Sequence, residues 1–124
     1  MTNIFFIAAG GAAGALLRYW MSSGVYLMMG REFPYGTLSV NLLGSILIGF
    51  GYIFLFERLE LGPEWRAGLI IGLLGAFTTF STFSIETIEL LEAGRELRAG
   101  LNVVLSVILC ITGCWLGMLV AREL

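Results

Sequence analysis

Three short charged interruptions, GREFPYG at 30–36, ERLELGPE at 57–64 and EAGREL at 92–97, divide an otherwise apolar chain into four stretches. The stretches cover approximately residues 4–29, 36–56, 65–91 and 97–121. A bilayer core of about 30 Å is crossed by roughly 20 helical residues, so each stretch is long enough to span it. The first and third exceed that length, which predicts tilt, a break or a solvent-exposed end in both. Each interruption combines Gly or Pro with charge, as short interfacial turns do. No linker or low-complexity tract intervenes, and residues 1–124 are expected to form a single transmembrane domain.

Composition supports an all-α integral membrane fold. Hydrophobic residues make up 58% of the chain and mean hydropathy is +0.92, more than a soluble core of this size uses, so the excess faces lipid. The 17 glycines against two prolines suit membrane helices whose backbones approach closely. The pairs Gly10 and Gly14, Gly68 and Gly72, and Gly113 and Gly117 have the small-xxx-small spacing of such contacts. The opening MTNIFFIAAGGAAGALLR has no positive charge ahead of its apolar run, unlike a secretory signal, and is expected to persist as the first span.

The charges remove several function classes. All seven cations are arginines and the net charge is −2, without the basic patch that nucleic acid requires. The chain lacks histidine and lysine, and with them the usual proton shuttle, the commonest metal ligand and Schiff-base chemistry. An enzyme is not expected. Cys110 and Cys114, four apart in an apolar stretch, are expected to be small packing residues.

Four spans place both termini on one side. Arg58, Arg66 and Arg122 then lie on the terminal side, and Arg18, Arg31, Arg95 and Arg98 on the other, three against four. Because the Lys/Arg excess in short loops directs insertion, so small a bias predicts that the chain inserts either way up. Insertion in both orientations permits an antiparallel homodimer with its two-fold axis in the membrane plane.

Polar side chains recur at helical spacing inside these apolar stretches. Thr37, Asn41 and Ser45 share one face of the second, and Asn102 and Ser106 share a face of the fourth that Cys110 extends. The Asn41 amide must point into protein or water, either as an interhelical hydrogen bond or toward a polar path. The third stretch carries GAFTTFSTFS at 75–84, where Thr78, Thr79, Ser81, Thr82 and Ser84 alternate with Phe77, Phe80 and Phe83. Such a set of neutral donors without acids suits an anion better than a cation. A phenylalanine turned edge-on adds weak positive potential, so the row is either a ladder of ring edges and hydroxyls or a packing stripe. Glu86, Glu89 and Glu92 run toward the end of this stretch and are expected to form a solvated face. Gly72, Gly75, Thr78 and Thr79 weaken helix propensity at mid-span, which predicts a broken helix with freed carbonyl oxygens.

GGAAGALLRYW at 10–20, GTLSVNLLGSILIG at 36–49 and GAFTTFSTFSIE at 75–86 together resemble the bacterial CrcB/Fluc fluoride channels, over all four spans. The resemblance implies an antiparallel, dual-topology homodimer in the cytoplasmic membrane, with two fluoride pores and a buried Na⁺ at the centre of the interface. It implies that Asn41 faces the pore, that Phe80 and Phe83 line it by their edges, and that Ser81 and Thr82 belong to its polar track. Ser106 and Asn102 are taken as the fourth span's contribution to that track. Gly75 and Thr78 are implied to give backbone carbonyls to Na⁺, and Arg18 to keep a vestibule electropositive. On spacing alone Arg18 is equally a snorkelling arginine near a helix end. Ala76 stands where relatives usually have glycine, and Asn102 where many have tyrosine.

The expected function is passive, selective F⁻ export that relieves fluoride toxicity. Neutral donors and ring edges would replace part of the hydration shell in a narrow path. Two rivals remain at this level. A small dual-topology multidrug exporter matches the length, but such a proton-coupled pump is expected to hold an acid in its first span, and residues 4–29 have none. A non-transporting membrane assembly subunit would use the glycines and hydroxyls only to join helices.

Overall fold

The computed structural model describes residues 2–124. Its four membrane-length helices are Thr2–Met29, Tyr35–Arg58, Pro63–Glu92 and Glu96–Glu123, within about two residues of the stretches expected from hydropathy. The first helix stops at Gly30, whose φ of +84° is the left-handed conformation that closes helices, with its N–H donating to the Tyr26 carbonyl at 2.9 Å. Pro34 caps the second helix, a position where its missing N–H costs no helical hydrogen bond. The second helix ends in a π-helical segment, Tyr52–Arg58. Pro63 occupies the first turn of the third, whose residues Ala67–Leu74 are also π-helical. A second left-handed glycine, Gly94 with φ +75°, turns the chain into the fourth helix.

Glycine decides which helices touch. The first span packs on the leading half of the third, and the second span on the fourth. A Cβ at Gly10 would overlap the Gly68 carbonyl oxygen, and one at Gly14 the Leu73 carbonyl oxygen. Across the other pair, Gly49 lies against the Cys114 carbonyl and Gly117 against the Ile46 carbonyl. Gly10, Gly14, Gly72 and Gly117 therefore make backbone-to-backbone contacts, the source of association energy where lipid cancels the hydrophobic effect, while Gly113 makes room for the Ile46 and Leu42 side chains. Large apolar side chains such as Leu27, Leu97 and Ile111 point outward, as a lipid-facing surface demands.

The arginines cluster at the two ends. At one end Arg58 Nη2 donates to the Arg122 carbonyl at 2.5 Å, and Arg66 sits over the Phe56 ring. At the other, Arg98 pairs with Glu32 at 3.9 Å and Arg31 sits over the Tyr26 ring. Arg18 belongs to neither end. It lies about three helical turns before Met29, too deep to be a terminal snorkelling residue. The ends then hold Arg58, Arg66 and Arg122 against Arg31, Arg95 and Arg98, an even distribution.

Candidate functional site

The third helix breaks at Thr78 and Thr79, which are extended at φ −90°, ψ 160° and φ −153°, ψ 116°. Helix resumes over Phe80–Glu92 with Thr79 as its N-cap, the Thr79 Oγ1 accepting the Thr82 N–H at 3.2 Å. Asn41, on the neighbouring helix, holds the break open. Its Nδ2 donates to the Thr79 carbonyl at 2.9 Å and its Oδ1 accepts the Thr79 N–H at 2.7 Å. One side-chain amide thus replaces both backbone partners that Thr79 would have in a continuous helix.

The break redirects backbone donors. Thr79 N–H, which a continuous helix aims at the Gly75 carbonyl, goes to Asn41, and Thr82 N–H, the usual donor to Thr78, goes to Thr79 Oγ1. The Gly75 and Thr78 carbonyls are left without these helical donors, and Gly75 is exposed on the surface of the chain.

A cleft of about 420 Å³ opens beside the break, walled by the second, third and fourth helices. It brings together Asn41, Phe80, Phe83, Ser106, Gly75 and Thr78, with Ser45 and Cys110 added. No Asp, Glu or Arg lines it. Phe80 is 78% exposed and its ring lies 5.3 Å from that of Phe83 at an interplanar angle of 47°. Phe77, the third member of the sequence row, is instead buried in the core, because the break turns the row through a new direction.

The remaining residues take other places. Arg18 and Thr82 line a smaller cavity of about 220 Å³ with Ser22, Thr37 and Thr79. Thr79 contributes to both cavities, so the two adjoin at the break. Ser81 is exposed and its Oγ lies 3.4 Å from Thr79 Oγ1. Asn102 is only 1% exposed and sits behind Ser106, lining neither cavity.

The cleft's hydroxyls have their hydrogens engaged within the protein. Ser45 Oγ donates to the Asn41 carbonyl at 2.7 Å and Thr78 Oγ1 to the Leu74 carbonyl at 3.0 Å. These are bonds to the preceding turn, which rotation about χ1 exchanges at small cost because each carbonyl is also served by the helix backbone. Asn41 Nδ2 also carries a second hydrogen that the Thr79 carbonyl does not use.

Two sequence expectations change. Glu86 is not part of a solvated face: its Oε2 accepts from the Tyr26 hydroxyl at 2.9 Å and its Oε1 is buried without a partner. Glu89 and Glu92 are exposed as expected. The difference arises because Tyr26, on the first span, lies on the side to which Glu86 points. Cys110 is not simply packing, since it lines the cleft one turn beyond Ser106. The four-residue spacing Asn102, Ser106, Cys110 was the signal that could have placed it there.

The family model described as CrcB-like protein, Camphor Resistance (CrcB), matches residues 5–118. A Methylococcus capsulatus protein named fluoride-specific ion channel FluC is 52% identical over 122 residues, which are 98% of this chain and 54% of that protein. Proteins of the same name from Coxiella burnetii and Geobacter sulfurreducens are 53% and 50% identical, covering 98% and 100% of this chain. The chain spans about half the length of the Methylococcus protein and 99% and 100% of the other two. The acid-free cleft, the clamped break and the match across all four helices lead to one assignment: the chain belongs to the CrcB-like family.

Proposed function

We propose that this chain is a channel, not an enzyme, and that it conducts fluoride passively out of the bacterial cytoplasm across the inner membrane. The observation that carries this reading is a membrane-embedded cleft whose polar lining consists of amide and hydroxyl groups, with two phenylalanine rings and no ionised side chain. The ion is the one for which the Coxiella and Geobacter relatives are named. Fluoride is small and holds its water tightly, so it needs several donors at once in a narrow path. The second amide hydrogen of Asn41 and the Ser45, Thr78 and Ser106 hydroxyls, once rotated inward, provide them, and the edges of Phe80 and Phe83 add positive potential between them. Thr82 and Ser81 continue the polar track beyond the break, and Arg18 draws anions toward it through the smaller cavity.

The working unit in this proposal is an antiparallel homodimer with two pores. Even arginine distribution between the ends supports insertion in both orientations, and the exposed Phe80 and Gly75 leave a surface for a second copy to complete. The Gly75 and Thr78 carbonyls suit a hard monovalent cation, because the break leaves them without these helical donors and carbonyls that a second copy covers must be satisfied. Na⁺ on the two-fold axis would neutralise these dipoles and join the two breaks.

Liposomes loaded with fluoride and chloride test the reading. Purified protein is expected to release fluoride within seconds to minutes while chloride stays inside. Equal release of both ions, or of neither, contradicts it.

A further inference from the structure

Ser106 differs from the cleft's Ser45 and Thr78 in where its hydrogen goes. Those two donate to carbonyls of their own helices, whereas Ser106 Oγ donates to the side-chain Oδ1 of Asn102, at 3.5 Å. Asn102 is in turn fixed from the third helix. Its Nδ2 donates to Thr87 Oγ1 at 2.9 Å, and Thr87 Oγ1 donates to the Phe83 carbonyl at 2.8 Å. The three bonds run with one polarity, from Ser106 through Asn102 and Thr87 to the backbone of Phe83. Thr87 cannot give its hydrogen to both Phe83 and Asn102, so the amide is held with its nitrogen toward Thr87 and its oxygen toward Ser106.

We propose that Thr87 and Asn102 are positioning residues that hold the Ser106 hydroxyl hydrogen away from the cleft until an anion arrives, making Ser106 a conditional donor. The proposal rests on fluoride conduction through this cleft. The first bond of the series is the weak one, at the outer limit of hydrogen-bond length, while the two behind it are short. An anion beside Ser106 therefore takes the hydrogen at little cost, and Asn102 recovers it when the anion leaves. This limits how tightly the site holds its ion, as conduction requires. Asn102 acts from behind Ser106 and does not itself touch the ion, consistent with its burial outside both cavities.

The sign of one change tests this. Asn102→Leu removes the competing side-chain acceptor at similar volume, leaving the Ser106 hydrogen only the residue-102 carbonyl, which the helix backbone already serves, or the cleft. The fluoride concentration giving half-maximal efflux should fall about twofold, the low end of one neutral hydrogen bond because the bond removed is the long one, with the maximal rate falling too. Thr87→Val should shift the same parameter in the same direction by releasing the amide, and Thr87→Ser should restore the wild-type value. Melting temperature and oligomeric state, measured on each variant, separate these shifts from misfolding. A half-saturation raised in Asn102→Leu would mean that Asn102 binds the ion directly, and an unchanged one in both Asn102→Leu and Thr87→Val would mean that the residues only pack. Either result overturns the proposal. Absence of fluoride efflux in wild type would reject instead the function on which it rests.

Discussion

At the scale of single residues, two side chains on facing helices carry different parts of the site. Asn41 is structural and polar at once: both ends of its amide bind Thr79, yet one hydrogen remains for the cleft. Phe80 has no such double duty, because it is 78% exposed and contributes little to the core of the chain. Phe80→Ile is therefore expected to leave expression and melting temperature close to wild type while lowering fluoride efflux about tenfold, the effect of losing roughly 1.4 kcal/mol at a barrier. Efflux from liposomes, paired with thermal unfolding of the same preparation, checks this. Isoleucine fills similar space without a ring edge, so preserved flux would mean that Phe80 acts by bulk alone.

At the scale of elements, the decisive object is the broken third helix. Gly44 on the second helix faces it so closely that a Cβ would overlap the Thr78 methyl and approach the Phe77 ring at 3.3 Å. Gly44→Ala should push Thr78 away, weaken the clamp from Asn41 to Thr79 and destabilise the protein by about 1–3 kcal/mol, as overpacking does. A lowered melting temperature with reduced efflux is expected, whereas Gly24→Ala, which has open space around it, should change neither.

The break was legible in the sequence as a local weakness in helix propensity at Gly72, Gly75, Thr78 and Thr79. Its clamp was not, because Asn41 lies 38 residues away and nothing in spacing says which backbone it binds. The span limits were legible for the opposite reason, since hydropathy over twenty residues depends on the solvent and not on a partner. Glu86 was misjudged because its setting is decided by a neighbouring helix, through the Tyr26 hydroxyl.

At the scale of the whole molecule, the proposed dimer joins its halves through the Na⁺ that the Gly75 and Thr78 carbonyls would hold. A ligand that binds only the folded assembly raises its stability by mass action. Replacing Na⁺ with a large organic cation should therefore lower the melting temperature and the dimer fraction together, with both restored on adding Na⁺. Stability that ignores the cation would remove it from the account. The central claim is that uncharged dipoles carry a bare fluoride ion down its gradient without help from protons. Reversal potential in a planar bilayer tests it most directly. Under a tenfold fluoride gradient, current through the purified protein should reverse near the roughly 59 mV of a single-charge carrier, unmoved when chloride or pH is varied on one side. A reversal potential that follows the pH or the chloride gradient would contradict it.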